Sequence, residues 1–322
     1  MYKCALRMTR TCYLHPPFIQ SFRPPRIVCF STSTRVSSTA RPELSNQHSS
    51  VDPEGKQVAN LALTSQVHGM PVMDGHGWAQ FEFGDQIGQD NRYTITRKLG
   101  RGMYSNTWLA RDSMSVYCQF PFYLVTPSFD SDNKFVAVKV LTGHMTDMHR
   151  RGVVCEATVL QLISRLPISP HCVQLLDEFT IPGKGSVGSH MCFVMPLYGG
   201  DVGALAMVRK TALPLPLVKR IVLHLLRGIV HTHGHGVVHT DLKHDNIFFS
   251  TTMTADDIEA WMTKEPSRQH APEASPDGAA QTAVAQPLPM ISEDEAMRAT
   301  YLLADFGSGI CFFIGLFRVG YS

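Results

Sequence analysis

Along the 322-residue chain, apolar positions recur with strand or helix periods through the middle and lose that order towards both ends and in one internal stretch. Tyr93-Thr94-Ile95-Thr96 alternates as a strand does, and Phe135 to Val140 is an apolar run long enough for a buried strand, interrupted only by Lys139. Between Arg151 and Leu166, Val153, Ala157, Leu160 and Ile163 fall at helical spacing. Cys172–Phe179 and Met191–Met195 read as two strands joined by the turn-rich Pro182-Gly183-Lys184-Gly185. A short helix is predicted over Asp201–Arg209. The clearest helix follows: Val218, Ile221, Val222, Leu225, Leu226 and Ile229 form one apolar stripe, and Gly234 and Gly236 stop it. Val237–Val238, Ile247–Phe249 and Thr300–Ala304 are short strands, and no internal repeat is visible.

Three stretches lack such order. Residues 1–42 carry seven Lys and Arg, many Ser and Thr, and no acidic residue. That is the composition of an organelle transit peptide or of a disordered basic leader, and Pro16, Pro17, Pro24 and Pro25 interrupt any long helix there. Residues 43–92 are polar and weakly periodic, as a linker is. Residues 251–299, rich in Ala, Pro, Ser, Gln and acidic side chains, read as a flexible insertion with one short helix at Ala255–Met262. Composition changes the picture little. At 44% hydrophobic residues the chain is mostly globular, and a net charge of +2 exerts no strong pull on nucleic acid or membranes. The charge by itself identifies no partner, and no direct nucleic-acid partner is expected. No apolar run approaches the ~20 residues that span a bilayer. The 8 cysteines include no Cys-x-x-Cys pair, as expected of reduced thiols.

The candidate chemistry lies in five short motifs in a fixed order. Gly100 and Gly102 let a loop turn tightly and bring backbone N–H groups to phosphate oxygens, although such pairs are common in ordinary hairpins. Lys139 follows in its strand, where a lone lysine more often marks a solvated edge. Glu156 lies on the next predicted helix. His239-Thr240-Asp241-Leu242-Lys243-His244-Asp245-Asn246 puts a carboxylate and an amide within one loop, and Asp305-Phe306-Gly307 adds a second carboxylate. The histidines at 231, 233, 235 and 239 do not have the spacing of a closed zinc site, and no cysteine pair completes one.

Taken together, the motifs resemble the eukaryotic protein kinase superfamily from about Tyr93 to Gly309. Thr240 in the catalytic loop, Ser105 in place of a third loop glycine, Trp108, and an insertion before Asp305 are similar to the SR-protein kinase and LAMMER branch. The resemblance implies an α+β, bilobal fold. An antiparallel-sheet N-lobe would span 93–195, the start of a helical C-lobe with the catalytic loop 196–250, and the magnesium-loop strand 300–309. It implies ATP and Mg²⁺ as cofactors and a serine/threonine protein substrate, Arg/Ser-rich in that branch. Gly100, Gly102 and Ser105 would cover the phosphates, with Thr107, Ala137, Leu197 and Phe248 around the adenine. Lys139 would contact the α- and β-phosphates and pair with Glu156. Asp241 would take the hydroxyl proton, Lys243 would neutralise the moving phosphoryl group, and Asn246 and Asp305 would hold the metal.

The chain also departs from the family pattern. Thr107 replaces an apolar residue over adenine, and Thr240 replaces the arginine that clamps a phosphorylated activation loop. Val116–Asp130 is an apolar, aromatic stretch where the family has a short hairpin. Residues 310–322 run on as an aberrant apolar tail without the Ala-Pro-Glu segment, leaving the helical C-lobe incomplete. Two functional readings therefore stand side by side: an active serine/threonine kinase, and a catalytically inactive nucleotide-binding chain or pseudokinase. The branch resemblance implies cytoplasm and nucleus, and the basic leader implies mitochondria. The oligomeric state is not legible.

Overall fold

A computed structural model describes residues 72, 75–114, 134–209, 211–275 and 278–311. The leader, the first part of the predicted linker, Val116–Asp130 and residues 312–322 lie outside the described residues. In chain order the elements are β1 (Gln86–Ile87), β2 (Tyr93–Arg101), β3 (Ser105–Asp112), β4 (Phe135–Leu141), α1 (Gly143–Arg150), α2 (Glu156–Ile163), β5 (Asp177–Pro182), β6 (Ser189–Pro196), β7 (Tyr198–Asp201), α3 (Val202–Arg209), α4 (Leu215–Gly234), β8 (Val237–Val238), β9 (Ile247–Ser250), α5 (Ala255–Lys264), β10 (Glu273–Ser275), β11 (Gly278–Ala280), α6 (Glu293–Arg298), β12 (Tyr301–Leu303) and β13 (Ile310–Cys311).

An antiparallel sheet ordered β1-β2-β3-β4-β6-β5 forms the upper lobe. Strand alternation assigns its two faces. Val136, Val138 and Val140 point to the outer face, where they pack with Tyr93, Ile95, Trp108 and Val194. Trp78, Ala79, Phe81 and Ile87 are buried too, and Phe81 meets Trp108 edge-on at 5.2 Å between ring centroids. Residues 75–91 are therefore a folded cover on the sheet rather than a linker. Their polar majority hid the few large side chains that an exposed apolar sheet face requires.

The inner face carries Phe135, Ala137, Lys139 and Leu141, two residues apart. Leu141 packs with α2 through Val159, Leu160 and Ile163. The predicted helix at Arg151 starts later, at Glu156, because Gly152 turns the chain at φ 71° after a separate helix, α1. Val153, expected on its apolar stripe, is exposed. The strand expected from Cys172 begins instead at Asp177. Before it, Cys172 makes a parallel bridge to Leu303.

Below the sheet, β12, β9 and β7 form a small antiparallel sheet with Phe248 opposite both Leu302 and Asp201. α4 runs beneath it as predicted but rotated. Leu217, Ile221, His224, Gly228 and Thr232 face the interior, while Val222 and Leu226 are exposed. The interior accepts this face because His171 and His224 bracket one residue there. His171 Nδ1 donates to the Tyr301 carbonyl at 3.0 Å, and the Tyr301 N–H donates to His224 Nδ1 at 3.1 Å.

The segment 251–299 corrects the reading of a flexible insertion. α5 and α6 each begin with a capping box, Thr254 with Asp257 and Ser292 with Glu295. Ile258, Trp261 and Leu288 are buried with Leu109, Phe135, Ala137 and Leu197 of the upper lobe. Ala296 and Ala299 are buried with Val202, Leu205, Leu217 and Ile221 of the lower lobe. Burying each large side chain contributes about 2 kcal/mol, enough to hold a segment whose average composition is polar.

Candidate active site

Lys139 sits at the middle station of the inner sheet face, opposite Thr107 across the β3–β4 pair. Its Nζ lies 2.5 Å from Glu156 Oε1 and 2.9 Å from Asp305 Oδ1. Glu156 is the first residue of α2, where the helix dipole favours a carboxylate. Burial works against the lysine charge, but the two carboxylates outweigh it and hold the pKa above its ordinary value. Lys139 in turn holds the Asp305 carboxyl below the usual range. The side chains differ in access: Glu156 is 4% exposed and Asp305 48%. Asp305 is thus the carboxylate free to exchange its partner.

The catalytic loop reaches the same place. Lys243 Nζ donates to Asp241 Oδ2 at 2.8 Å, and Asn246 Nδ2 donates to the same oxygen at 3.0 Å and to the Asp241 carbonyl at 2.9 Å. Both bonds use Oδ2, so Oδ1 is the oxygen left for an incoming hydroxyl. Asn246 spends its amide nitrogen on Asp241, which leaves its oxygen for a cation. The Ala304 N–H donates to the Asn246 carbonyl at 2.9 Å, putting Asp305 one residue from the loop. Asp241 hydrogen bonding raises the pKa of Lys243, with Asp305 adding to the shift.

Two residues hold the loop in shape. His239 is buried; its Nε2 donates to the Ala304 carbonyl at 2.8 Å and its Nδ1 accepts the Asp241 N–H at 3.3 Å. Its ring lies 4.6 Å from that of Phe306, itself buried beside α2. Thr240 Oγ1 donates to the Ser308 carbonyl at 2.6 Å. Thr240 and Asp305 both have positive φ, 65° and 56°. Such backbones cost about 1 kcal/mol each and persist where surrounding contacts over-determine them.

At the tip of β2–β3, the Gly102 N–H donates to the Ser105 carbonyl at 2.8 Å, and Gly100 pairs with Thr107. A side chain at Gly100 would meet nothing within 4 Å, so the loop leaves open space there. On the base side, Ala137 and Leu197 lie in the cluster shared with the insertion, and Phe248 packs near the ring of Tyr198 at 6.2 Å. The structure therefore brings Lys139, Glu156, Asp305, Asp241, Lys243 and Asn246 together, with Thr107 and Ala137 on the same sheet face. The contribution of the insertion to this face has no signal in composition. The histidines upstream are used in packing: His231 Nε2 donates to the Ile163 carbonyl and His235 Nδ1 to that of His231.

The donor set suits the implied cofactors. A hard cation takes carboxylate and amide oxygens together with phosphate oxygens, so Asp305 and Asn246 suffice from the protein. The lysine, its helix glutamate and the two loops have the arrangement of a protein-kinase cleft. Comparison agrees, since the protein kinase domain family matches residues 125–258. SRSF protein kinase 3 of Mus musculus is 32% identical over 177 residues, 53% of this chain and 27% of that protein. Serine/threonine-protein kinase SKY1 of Saccharomyces cerevisiae is 29% identical over 170 residues, 49% and 20% of the two chains. Protein kinase dsk1 of Schizosaccharomyces pombe is 26% identical over 210 residues, 63% and 34%. The chain is similar to these SR-protein kinases and other serine/threonine kinases, and it covers 20% to 34% of the length of these relatives.

Proposed function

We propose that this chain is an ATP- and Mg²⁺-dependent serine/threonine protein kinase acting on Arg/Ser-rich proteins. The convergence of Lys139, Glu156 and Asp305 beside the Asp241–Asn246 loop carries the reading. Bound ATP supplies the phosphoryl group and Mg²⁺ neutralises charge on it. Lys139, held by Glu156, offers a fixed cation to the phosphates. Asp241 Oδ1 orients a substrate hydroxyl and accepts its proton as the new bond forms. Lys243, exposed and beside Asp241, offers a second cation where negative charge moves. Little covalent chemistry falls to the protein, and positioning with charge neutralisation lowers the barrier.

The Arg/Ser-rich substrate class rests on the similarity to the SR-protein kinases. Titration with a fluorescent ADP analogue, with and without Mg²⁺, followed by phosphorylation of an Arg/Ser peptide, tests both parts. Mg²⁺-dependent binding and transfer are expected. Binding without transfer leaves a nucleotide-binding pseudokinase. Absence of binding removes the nucleotide reading.

A further inference from the structure

The insertion grips the strand that leads into the glycine loop at three consecutive residues. Ser267 Oγ donates to the Thr96 carbonyl at 2.8 Å, and the Gln286 N–H donates to the Lys98 carbonyl at 2.8 Å. Between them, the Arg97 side chain is 0% exposed. Its guanidinium carbon lies 3.9 Å from the centroid of the Trp261 ring, its Nε donates to Ser267 Oγ at 3.3 Å, and its Nη2 donates to the Glu265 carbonyl. Arg111 on the neighbouring strand pairs with Glu259 of α5. Gln286 also ties the two arms of the insertion together, since its Oε1 accepts the Arg268 N–H at 2.9 Å.

The other end of the insertion is fixed to the lower lobe. Arg220 of α4 donates to the carbonyls of Arg298 and Ala299, each at 2.9 Å, and Arg209 pairs with Glu293 at 2.9 Å. The next residues form β12, which delivers Asp305. The insertion thus leaves the lower lobe after β9, clamps β2 just before Gly100, and returns to the strand that carries the metal carboxylate. It joins the lobes in addition to the chain passage at Leu197.

We propose that segment 251–299 is an interlobe strap, and that Arg97 is a positioning residue which sets the glycine loop against Asp305. The proposal rests on the nucleotide reading above and extends it to the source of the loop's position. Arg97 touches no nucleotide. It acts by fixing Thr96–Lys98, so that Gly100 and Gly102 project over the phosphates at one height. An arginine suits this role because its planar face stacks on the indole while its edge donates to the Glu265 carbonyl and the Ser267 hydroxyl.

The test compares wild type, Arg97→Ala, Trp261→Ala and Arg97→Lys in the full chain. A fluorescent ADP analogue with Mg²⁺ gives Kd, and amide hydrogen exchange is followed over 99–106 and over β4 and β6. Arg97→Ala and Trp261→Ala should each raise Kd about tenfold and speed exchange in the glycine loop, leaving β4 and β6 unchanged. Their combination should do little more than either alone, and Arg97→Lys should recover part of the loss. Unaltered affinity together with unaltered loop exchange overturns the strap. A gain in affinity also overturns it, since the insertion would then obstruct the base side. Equal acceleration across loop and core reduces Arg97 to a stabilising contact and overturns its positioning role. If wild type binds no nucleotide, the functional reading fails, and loop exchange alone still decides the strap.

Discussion

Lys139 and Arg97 are cations set on strands of one sheet, and they are held in opposite ways. Lys139 is paired with two carboxylates, one buried and one half-exposed, so it can keep Glu156 and exchange Asp305 for a ligand. Arg97 has an aromatic face, a carbonyl and a hydroxyl around it, and Nη1 has no hydrogen-bond partner among the described residues. Burial lowers its pKa, with Glu265 only partly offsetting the effect, whereas the carboxylates around Lys139 reverse the sign. A cation meant for a ligand is kept with a replaceable counter-charge. A cation meant for the fold is surrounded by groups that cannot leave.

The strongest way to break that contrast lies in the cleft. Asp241→Asn keeps the shape of the Lys243 and Asn246 bonds but removes the proton acceptor. Peptide phosphorylation should fall about a thousandfold in kcat with nucleotide affinity retained. A matching loss of affinity would mean that Asp241 acts in binding. Next comes Lys139→Met, which strands Glu156 in the interior. Unfolding by urea should show a loss of about 4 kcal/mol, mostly regained in Lys139→Met with Glu156→Gln. If the single variant is as stable as wild type, the pair is not buried as described.

A third buried base sharpens the contrast through pH. Burial, with His171, Arg220 and Arg227 nearby, pushes His224 down to about 4, and its Nδ1 accepts the Tyr301 N–H. The unfolded chain takes up this proton near pH 6.5 and the folded one only near 4. The stabilisation is therefore complete above pH 6.5 and is lost as pH falls towards 4, by roughly 3 kcal/mol. His224→Gln should flatten this part of the stability profile, and an unchanged slope would assign it to other groups. The smallest effects belong to the strap. Thr254→Ala removes the cap of α5 and should cost about 1 kcal/mol, read as faster exchange in 255–264 before the rest. Uniform exchange would show that the helix does not unfold on its own.

The sequence makes some elements plain and hides others for physical reasons. The convergence of Lys139, Glu156, Asp241, Asn246 and Asp305 was legible because these residue types recur in a fixed order, Lys139 and Glu156 among apolar neighbours and Asp241 and Asn246 within one polar loop. The rotation of α4 was not legible, since Leu225 and Ile229 lie on the border between stripe and interior while His224 and Gly228 take the central positions. A histidine and a glycine carry no hydrophobic signal, yet a side chain at 228 would strike the His171 carbonyl. The cover at 75–91 and the insertion escaped for a common reason. Each is polar on average and is held by a few large residues, Trp78 and Phe81 in one and Ile258 and Trp261 in the other. Averages over a window lose such anchors. Arg97 escaped because in a strand pattern a buried arginine reads as a solvated one.

The hydroxyl of Thr240 joins the catalytic loop to the Ser308 carbonyl with no net charge on either side. Dissolved ions weaken the exposed Lys243–Asp241 pair a few residues away, but they have nothing to screen in a link between two dipoles. The joint between the two loops is therefore deaf to ionic strength and keeps one setting in dilute buffer and in brine alike.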